Sequence, residues 1–283
     1  MDVAVESESK PALALVAEEL ADRHHVLVKK PGRLDILHSI DDVRRWLDRI
    51  REACVAPPPE AGKAAEWLLD NDYQVHRAIR QIAQDLPPSF LRRLPSLPEE
   101  QGGRPRITAL AGEMLRAAHL QLTHASAAQF VAEYQRYHTL TIAELWALPT
   151  MLRITCLEVL IAAFDELFEG AVAAPVDLTQ DARCPVSLEA TERVARSITN
   201  LATIAAIRWQ DFFDEVSLVE AALCSDPANS YAAMDLRPAM PTAMPSSRLP
   251  TRRDWKRFRW RRPRYAGPKP RPGARYSSMS ASG

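Results

Sequence analysis

Side chains suited to chemistry are thinly spread along this 283-residue chain. Glu66 and Asp70 lie one turn apart on a helical reading, the spacing of a carboxylate pair for acid–base work. Such a pair needs a pocket and unequal proton affinities, and its charged surroundings point instead to a solvated helix face. Asp72 and His76 share the spacing and suit a surface ion pair. His24-His25, with Lys29-Lys30 close behind, reads as solvated basic surface, because adjacent residues rarely ligate one metal. Ser89, Ser96 and Thr123 have no Gly-x-Ser-x-Gly elbow around them. Cys54, Cys156, Cys184 and Cys224 form no Cys-x-x-Cys pair and are expected to be reduced, mostly buried thiols. The sequence therefore assigns no catalytic, cofactor-binding or metal-ligating residue, and it implies no cofactor.

Charge is distributed more tellingly than it is totalled. Lys plus Arg and Asp plus Glu each number 36, for a formal net charge of zero. Residues 236–283 carry 13 Lys/Arg against one acid, Asp254, so an acidic body is followed by a basic tail. Within that tail, RRDWKRFRWRRPRY interleaves cations with Trp255, Phe258, Trp260 and Tyr265, a composition suited to nucleic acid or an acidic lipid surface. The acidic N-terminus lacks the charge pattern of a signal peptide, and no run reaches the ~18 uninterrupted apolar residues of a membrane span. The nearest candidate, Ile154 to Phe168, is broken by Glu158, Asp165 and Glu166. A cytoplasmic chain with no transmembrane segment is expected.

The elements that would position these groups are helical. Nine glycines against 22 prolines suit neither a Rossmann sheet nor a Greek-key barrel, and Ala, Leu, Glu and Arg dominate the body. Residues 1–35 read as a partly flexible N-terminal segment, 36–235 as an all-α multi-helix array or bundle, and 236–283 as a disordered tail. A first stripe, Ile40, Val43, Leu47 and Ile50, ends at Pro57-Pro58-Pro59. A second puts Leu68, Val75, Ile79, Ile82 and Leu86 on one face. The connection LPPSFLRRLPSLPEEQGGRPR is expected to cross the surface, anchored by Phe90 and Leu91. Helices follow over Ile107 to Leu122 and Ala125 to Tyr137.

Thr141-Ile-Ala-Glu144 has the form of a capping box, with Pro149 interrupting the early part of the helix it opens. Gly170 to Pro185 reads as a loop, and Ser187 to Leu223 as one long amphipathic helix. Trp67, Leu68, Ile79, Ile82, Trp146, Leu152, Leu157, Ile204 and Trp209 are expected to be mostly buried, with the three tryptophans in the core rather than forming a sugar platform. Glu133 to His138 is polar and aromatic, and suits either a groove lining or a snorkelling helix end.

Three blocks together resemble the N-terminal region of the cyclic β-1,2-glucan synthases. The first runs from Glu66-Trp-Leu-Leu-Asp-Asn-Asp through Asp85-Leu-Pro-Pro-Ser-Phe to Arg93-Leu-Pro. The second is Phe130 to Leu160, centred on Leu140-Thr-Ile-Ala-Glu-Leu-Trp-Ala-Leu-Pro-Thr-Met-Leu-Arg. The third is Phe212-Phe-Asp-Glu-Val-Ser-Leu-Val-Glu with Asp226-Pro-Ala and Tyr231-Ala-Ala-Met-Asp235. The resemblance implies a longer parent in which a helical N-terminal region precedes membrane spans, a UDP-glucose-dependent glucosyltransferase and a glycoside-phosphorylase-like domain. No catalytic residue of those domains finds a match here. The expectation is a non-catalytic, truncated helical fragment whose partners are the remaining domains of a membrane-bound synthase, on the cytoplasmic face of the inner membrane. The alternative is a free-standing helical interaction protein whose basic tail binds nucleic acid or acidic lipid. The resemblance stops at Met234-Asp235, where the composition breaks, so the tail is read as an out-of-frame translation with at most weak polyanion binding.

Overall fold

Prolines and caps divide the body into helices, most of them amphipathic, and each must bury its apolar surface against another. The computed structural model describes residues 12–24, 27–28, 34, 40–175 and 188–218. The chain divides into two units, Met1–Thr242 and Ala243–Gly283. All the described residues lie in the first, and the tail expected to be disordered lies outside them. The described fold is all-α. Its helices are α1 (Ala12–Arg23), α2 (Ile40–Ala53), α3 (Gly62–Asp85), α4 (Pro88–Leu91), α5 (Arg106–Ala117), α6 (His124–Gln135), α7 (Ile142–Leu167), α8 (Ala190–Ala206) and α9 (Trp209–Val216). Among the described residues, β pairing amounts to two isolated antiparallel bridges, Val28 with Ser96 and Ser96 with Pro105.

The core is organised around α7. This helix has 26 residues, and its most apolar stretch has a mean hydropathy of 1.7. Length and composition alone would suit a membrane span, but that whole stretch is buried inside the helical array. Helices α3, α5 and α8 pack directly on α7, and α8 also packs on α3. On the flanks, α2 lies on α3, α1 on α5 and α6, and α9 on α6. Aromatic edges join distant elements: Trp46 of α2 meets Phe164 of α7, and Trp146 of α7 meets Phe213 of α9.

Several expectations need correction. Trp67 is 43% exposed on α3, beside the fully buried Leu68, whereas Trp146 and Trp209 are mostly but not fully buried. The other six expected core residues are buried. On α3, the stripe Leu68, Val75, Ile79, Ile82 points inward, which leaves Trp67 on the flank. Asn71 departs from helical geometry, and its Nδ2 donates to the Trp67 carbonyl at 3.0 Å, serving an acceptor at the kink. Pro149 does not interrupt α7, which runs through it; the missing N–H is tolerated because the helix is held by neighbours on all sides. The connection between α3 and α5 is less superficial than expected. Leu94, Ser96 and Leu97 are buried along with Phe90, and backbone bonds from Leu97 N to Arg104 O and Arg106 N to Pro95 O fold it into a tight loop.

Within the long helix expected over Ser187 to Leu223, the described residues form two helices, Ser187 and 219–223 lying outside them. Ile207 adopts an extended conformation (ψ 132°), and the Trp209 indole nitrogen folds back to donate to the Ile204 carbonyl at 2.9 Å. That bond satisfies an acceptor left at the end of α8. Helix α5 also ends early, because His119 and Leu120 both take left-handed backbone conformations (φ 49° and 54°). Each costs ~1–2 kcal/mol in a residue with a Cβ, and α8 offsets the cost. Asn200 accepts from Leu122 N at 3.0 Å and donates to Leu120 O at 2.9 Å, while Arg196 donates to His119 O at 2.5 Å.

Three variants measured by urea denaturation test this packing. Leu157→Ala is expected to cost about 2–5 kcal/mol and Trp67→Ala under about 1 kcal/mol. Equal losses would contradict the assignment of α7 to the centre. Asn200→Ala, which leaves a buried N–H and carbonyl unpaired, is expected to cost about 1–3 kcal/mol.

Candidate functional site

The residues that looked chemically capable are not brought together. Glu66 and Asp70 are exposed. Asp72 does not pair with His76; its carboxylate sits 2.6 Å from Arg51 Nε, tying α3 to α2. Ser89 is exposed and Ser96 buried. Thr123 caps α6, accepting from Ser126 N at 3.0 Å while Ser126 Oγ accepts from Thr123 N at 3.0 Å. Burial pushes the Cys54 thiol up to about 11. It pushes Cys156 up to about 12 against the opposing effect of Arg153. Both therefore stay protonated and poorly nucleophilic at neutral pH, whereas Cys184 and Cys224 lie outside the described residues. Among the described residues, no three His, Cys, Asp or Glu side chains converge as a metal site. An open hollow of about 560 Å³ beside the α8–α9 break is lined by His124, Thr203, Ala206, Ile207, Arg208 and Asp211. Its ion pair, Arg208 with Asp211, is exposed.

A buried polar cluster is built at the N-terminal ends of two helices. Arg106 opens α5 and Glu144 sits in the first turn of α7. Arg106 Nε and Nη2 donate to the two carboxylate oxygens of Glu144 at 2.8 and 2.7 Å, and Nη2 also reaches the Thr139 carbonyl at 3.2 Å. The side chains are 4% and 0% exposed. Glu144 at the same time completes the capping box: its Oε2 accepts from Thr141 N at 2.9 Å, and Thr141 Oγ1 accepts from Glu144 N at 3.2 Å. Burial disfavours charge on Arg106, but the hydrogen bonds and charge of Glu144 outweigh it and hold the guanidinium above its ordinary range. The guanidinium carbon lies 5.9 Å from the centre of the Tyr134 ring. Tyr134 Oη is 3.0 Å from His24 Nδ1.

Burial raises the Tyr134 phenol to about 12, so it stays protonated. His24 is 4% exposed, which overturns the reading of His24-His25 as solvated surface for this member; His25 lies outside the described residues.

Three further charges on α7 are answered from other elements. Glu158 accepts from Arg104 at 2.8 Å, and Arg153 lies 3.6 Å from Asp85 at the end of α3. Glu166 pairs with Arg193 of α8. Burial, opposed by Arg153 and the Thr150 hydroxyl, raises Asp85 above the usual carboxylate range. What these groups can do chemically is limited by their commitments. Each described buried charge on α7 is spent on a neighbour, and Arg106 and Glu144 are closed to any substrate. The cluster holds helices in register. Sequence reading found Glu144 as a cap and missed its partner; the available signal was an arginine opening an apolar helix directly after Pro105.

A double-mutant cycle measures the pair. Arg106→Met is expected to cost about 3–5 kcal/mol because it strands a buried carboxylate. Adding Glu144→Gln, which neutralises that carboxylate and can still cap Thr141, is expected to restore part of the loss. Additive losses in urea denaturation would contradict a direct buried pair.

No protein-family model matches the chain. A 95-residue stretch, 34% of this chain, is 42% identical to cyclic β-(1,2)-glucan synthase NdvB of Rhizobium meliloti (strain 1021), and the match spans only 3% of that protein's length. This chain contains a region related to a cyclic β-1,2-glucan synthase.

Proposed function

We propose that this helical body is a non-catalytic region of a cyclic β-1,2-glucan synthase-like protein. In a longer parent it supports or regulates a UDP-glucose-dependent glucosyltransferase from the cytoplasmic face of the inner membrane. The identity over 95 residues carries the reading. The geometry supports it in kind. Oriented acids and diphosphate-binding groups would have to share one accessible site for glucosyl transfer, whereas the buried acids Glu144 and Glu158 are committed to Arg106 and Arg104. On this reading the basic tail 236–283 is an out-of-frame product with no selected partner.

Three measurements bear on the proposal. The purified chain is expected to incorporate no glucose from UDP-glucose above a no-protein control; incorporation that survives repurification sinks the non-catalytic assignment. Removing the matched stretch from the Rhizobium synthase is expected to lower cyclic glucan output at least several-fold, and unchanged output would argue against a supporting role. Resequencing the gene is expected to find synthase-like coding sequence resuming in another frame after codon 235. A verified frame through residue 283 with no such sequence downstream removes the frameshift.

A further inference from the structure

Helix α1 is attached differently from the rest of the fold. Its buried side chains are Ala14, Ala17, Leu20 and Ala21, which offer far less apolar area than the Val43, Trp46, Leu47 and Ile50 of α2. Polar contacts at its C-terminal end make up the difference. Tyr137 Oη donates to Glu18 at 2.6 Å, Arg23 Nη2 donates to Glu113 at 3.1 Å, and Gln101 Nε2 donates to the Arg23 carbonyl at 3.0 Å. The Tyr137 and Gln101 contacts are exposed, and Arg23 reaches the buried Glu113 from a largely exposed position, where such contacts hold weakly. The fourth, His24 Nδ1 to Tyr134 Oη at 3.0 Å, is buried.

The surroundings of His24 disfavour a positive charge. From the end of α1 comes Arg23. From α5 comes Arg106, stacked on the Tyr134 ring, together with Glu113, whose carboxylate is engaged by Arg23 and Arg116. From α6 comes Tyr134, and just beyond it His138, whose ring centre is 6.2 Å from that of Tyr134. From α7 comes Glu144, which is bound to Arg106. A proton added to His24 in place would sit buried among cations while the nearby carboxylates are already committed.

We propose that α1 is an acid-released strap, docked on α5 and α6 while His24 is neutral and detached once His24 is protonated. Detachment returns the imidazolium to water and uncovers the faces of α5 and α6 beneath α1. A 12-residue helix is marginal alone, so the detached strap also loses its hydrogen bonds. Burial first, then Arg106, Arg23 and His138, lowers His24 from the ordinary 6.5 to about 4 in the docked state. The docked state thus binds a proton less readily than the free one. Docking is at full strength above about pH 6.5 and weakens as pH falls towards 4, by roughly 20-fold between pH 7 and pH 5.

Hydrogen–deuterium exchange on the full chain, corrected for intrinsic rates, tests this. Between pH 7 and pH 5, protection of the α1 amides is expected to fall by about 20-fold while α7 keeps its protection. In His24→Gln, α1 protection is expected to be flat over the same window. Unchanged α1 protection in the parent chain, the same fall in H24Q, or loss of α1 and α7 together would each overturn the strap. Should H24Q not fold, titration of the His24 ring in the parent chain by NMR decides. A midpoint well below 6.5 is expected, and one at or above 6.5 overturns the proposal.

Discussion

A helix that is apolar on every side can be buried in any rotation, so something other than hydrophobicity must fix α7 within the array. Four of its charged residues do so, each facing a different element. Glu144 meets Arg106 at the start of α5, Arg153 meets Asp85 at the end of α3, Glu158 meets Arg104 in the connection, and Glu166 meets Arg193 of α8. Turning α7 by one residue, or sliding it by one turn, would strand Glu144, Arg153 and Glu158 in the interior and leave the buried Arg193 without the exposed Glu166. Burying a charge without its partner costs more than a well-made pair gains. The pairs therefore act chiefly against wrong arrangements, while the apolar contacts supply the favourable energy.

The same economy appears at the ends of the helices. Glu144 caps α7 and binds α5 with one carboxylate. Asn200 uses one amide group to satisfy both a donor and an acceptor in the left-handed turn after α5. The Trp209 indole serves a carbonyl at the end of α8 and packs against Phe212 with ring centres 5.2 Å apart. In each case a group that would be orphaned at a helix terminus is met by a side chain: from the same helix for Glu144, from a distant element for Asn200 and from the next element for Trp209. Short helices can then end abruptly without exposing or stranding backbone.

Periodicity made the helices and much of the core legible. The stripe from Leu68 to Ile82, the box at Thr141 and Glu144, and the buried Leu152, Leu157 and Ile204 all follow from spacing and residue type. What failed to show had physical reasons. Trp67 neighbours the buried stripe on α3, and its flank position differs from a core position by one residue of rotation. The break at Ile207 and Arg208 carries neither Gly nor Pro, because the Trp209 indole rather than the backbone's own preference ends α8. Residues near Leu120 are ordinary helix formers held left-handed by Asn200, seventy-eight or more positions away. His24 and Arg106 look like surface residues in any apolar pattern, since their burial depends on partners brought together only by the fold. The candidate site was least legible for that reason: its members are distant in sequence and individually unremarkable in type.

The position of α8 has a consequence for synthesis. It packs on α7 and on α3, and its Asn200 and Arg196 hold the turn after α5. A ribosome therefore delivers α3, α5 and α7 well before the helix that covers them. During that interval the nascent chain carries an uncovered apolar groove along its most hydrophobic segment, of the kind that chaperones bind and that promotes aggregation. Closure must wait for residues near 206, so these long-range contacts form late, and folding should be slower than the wholly helical content suggests.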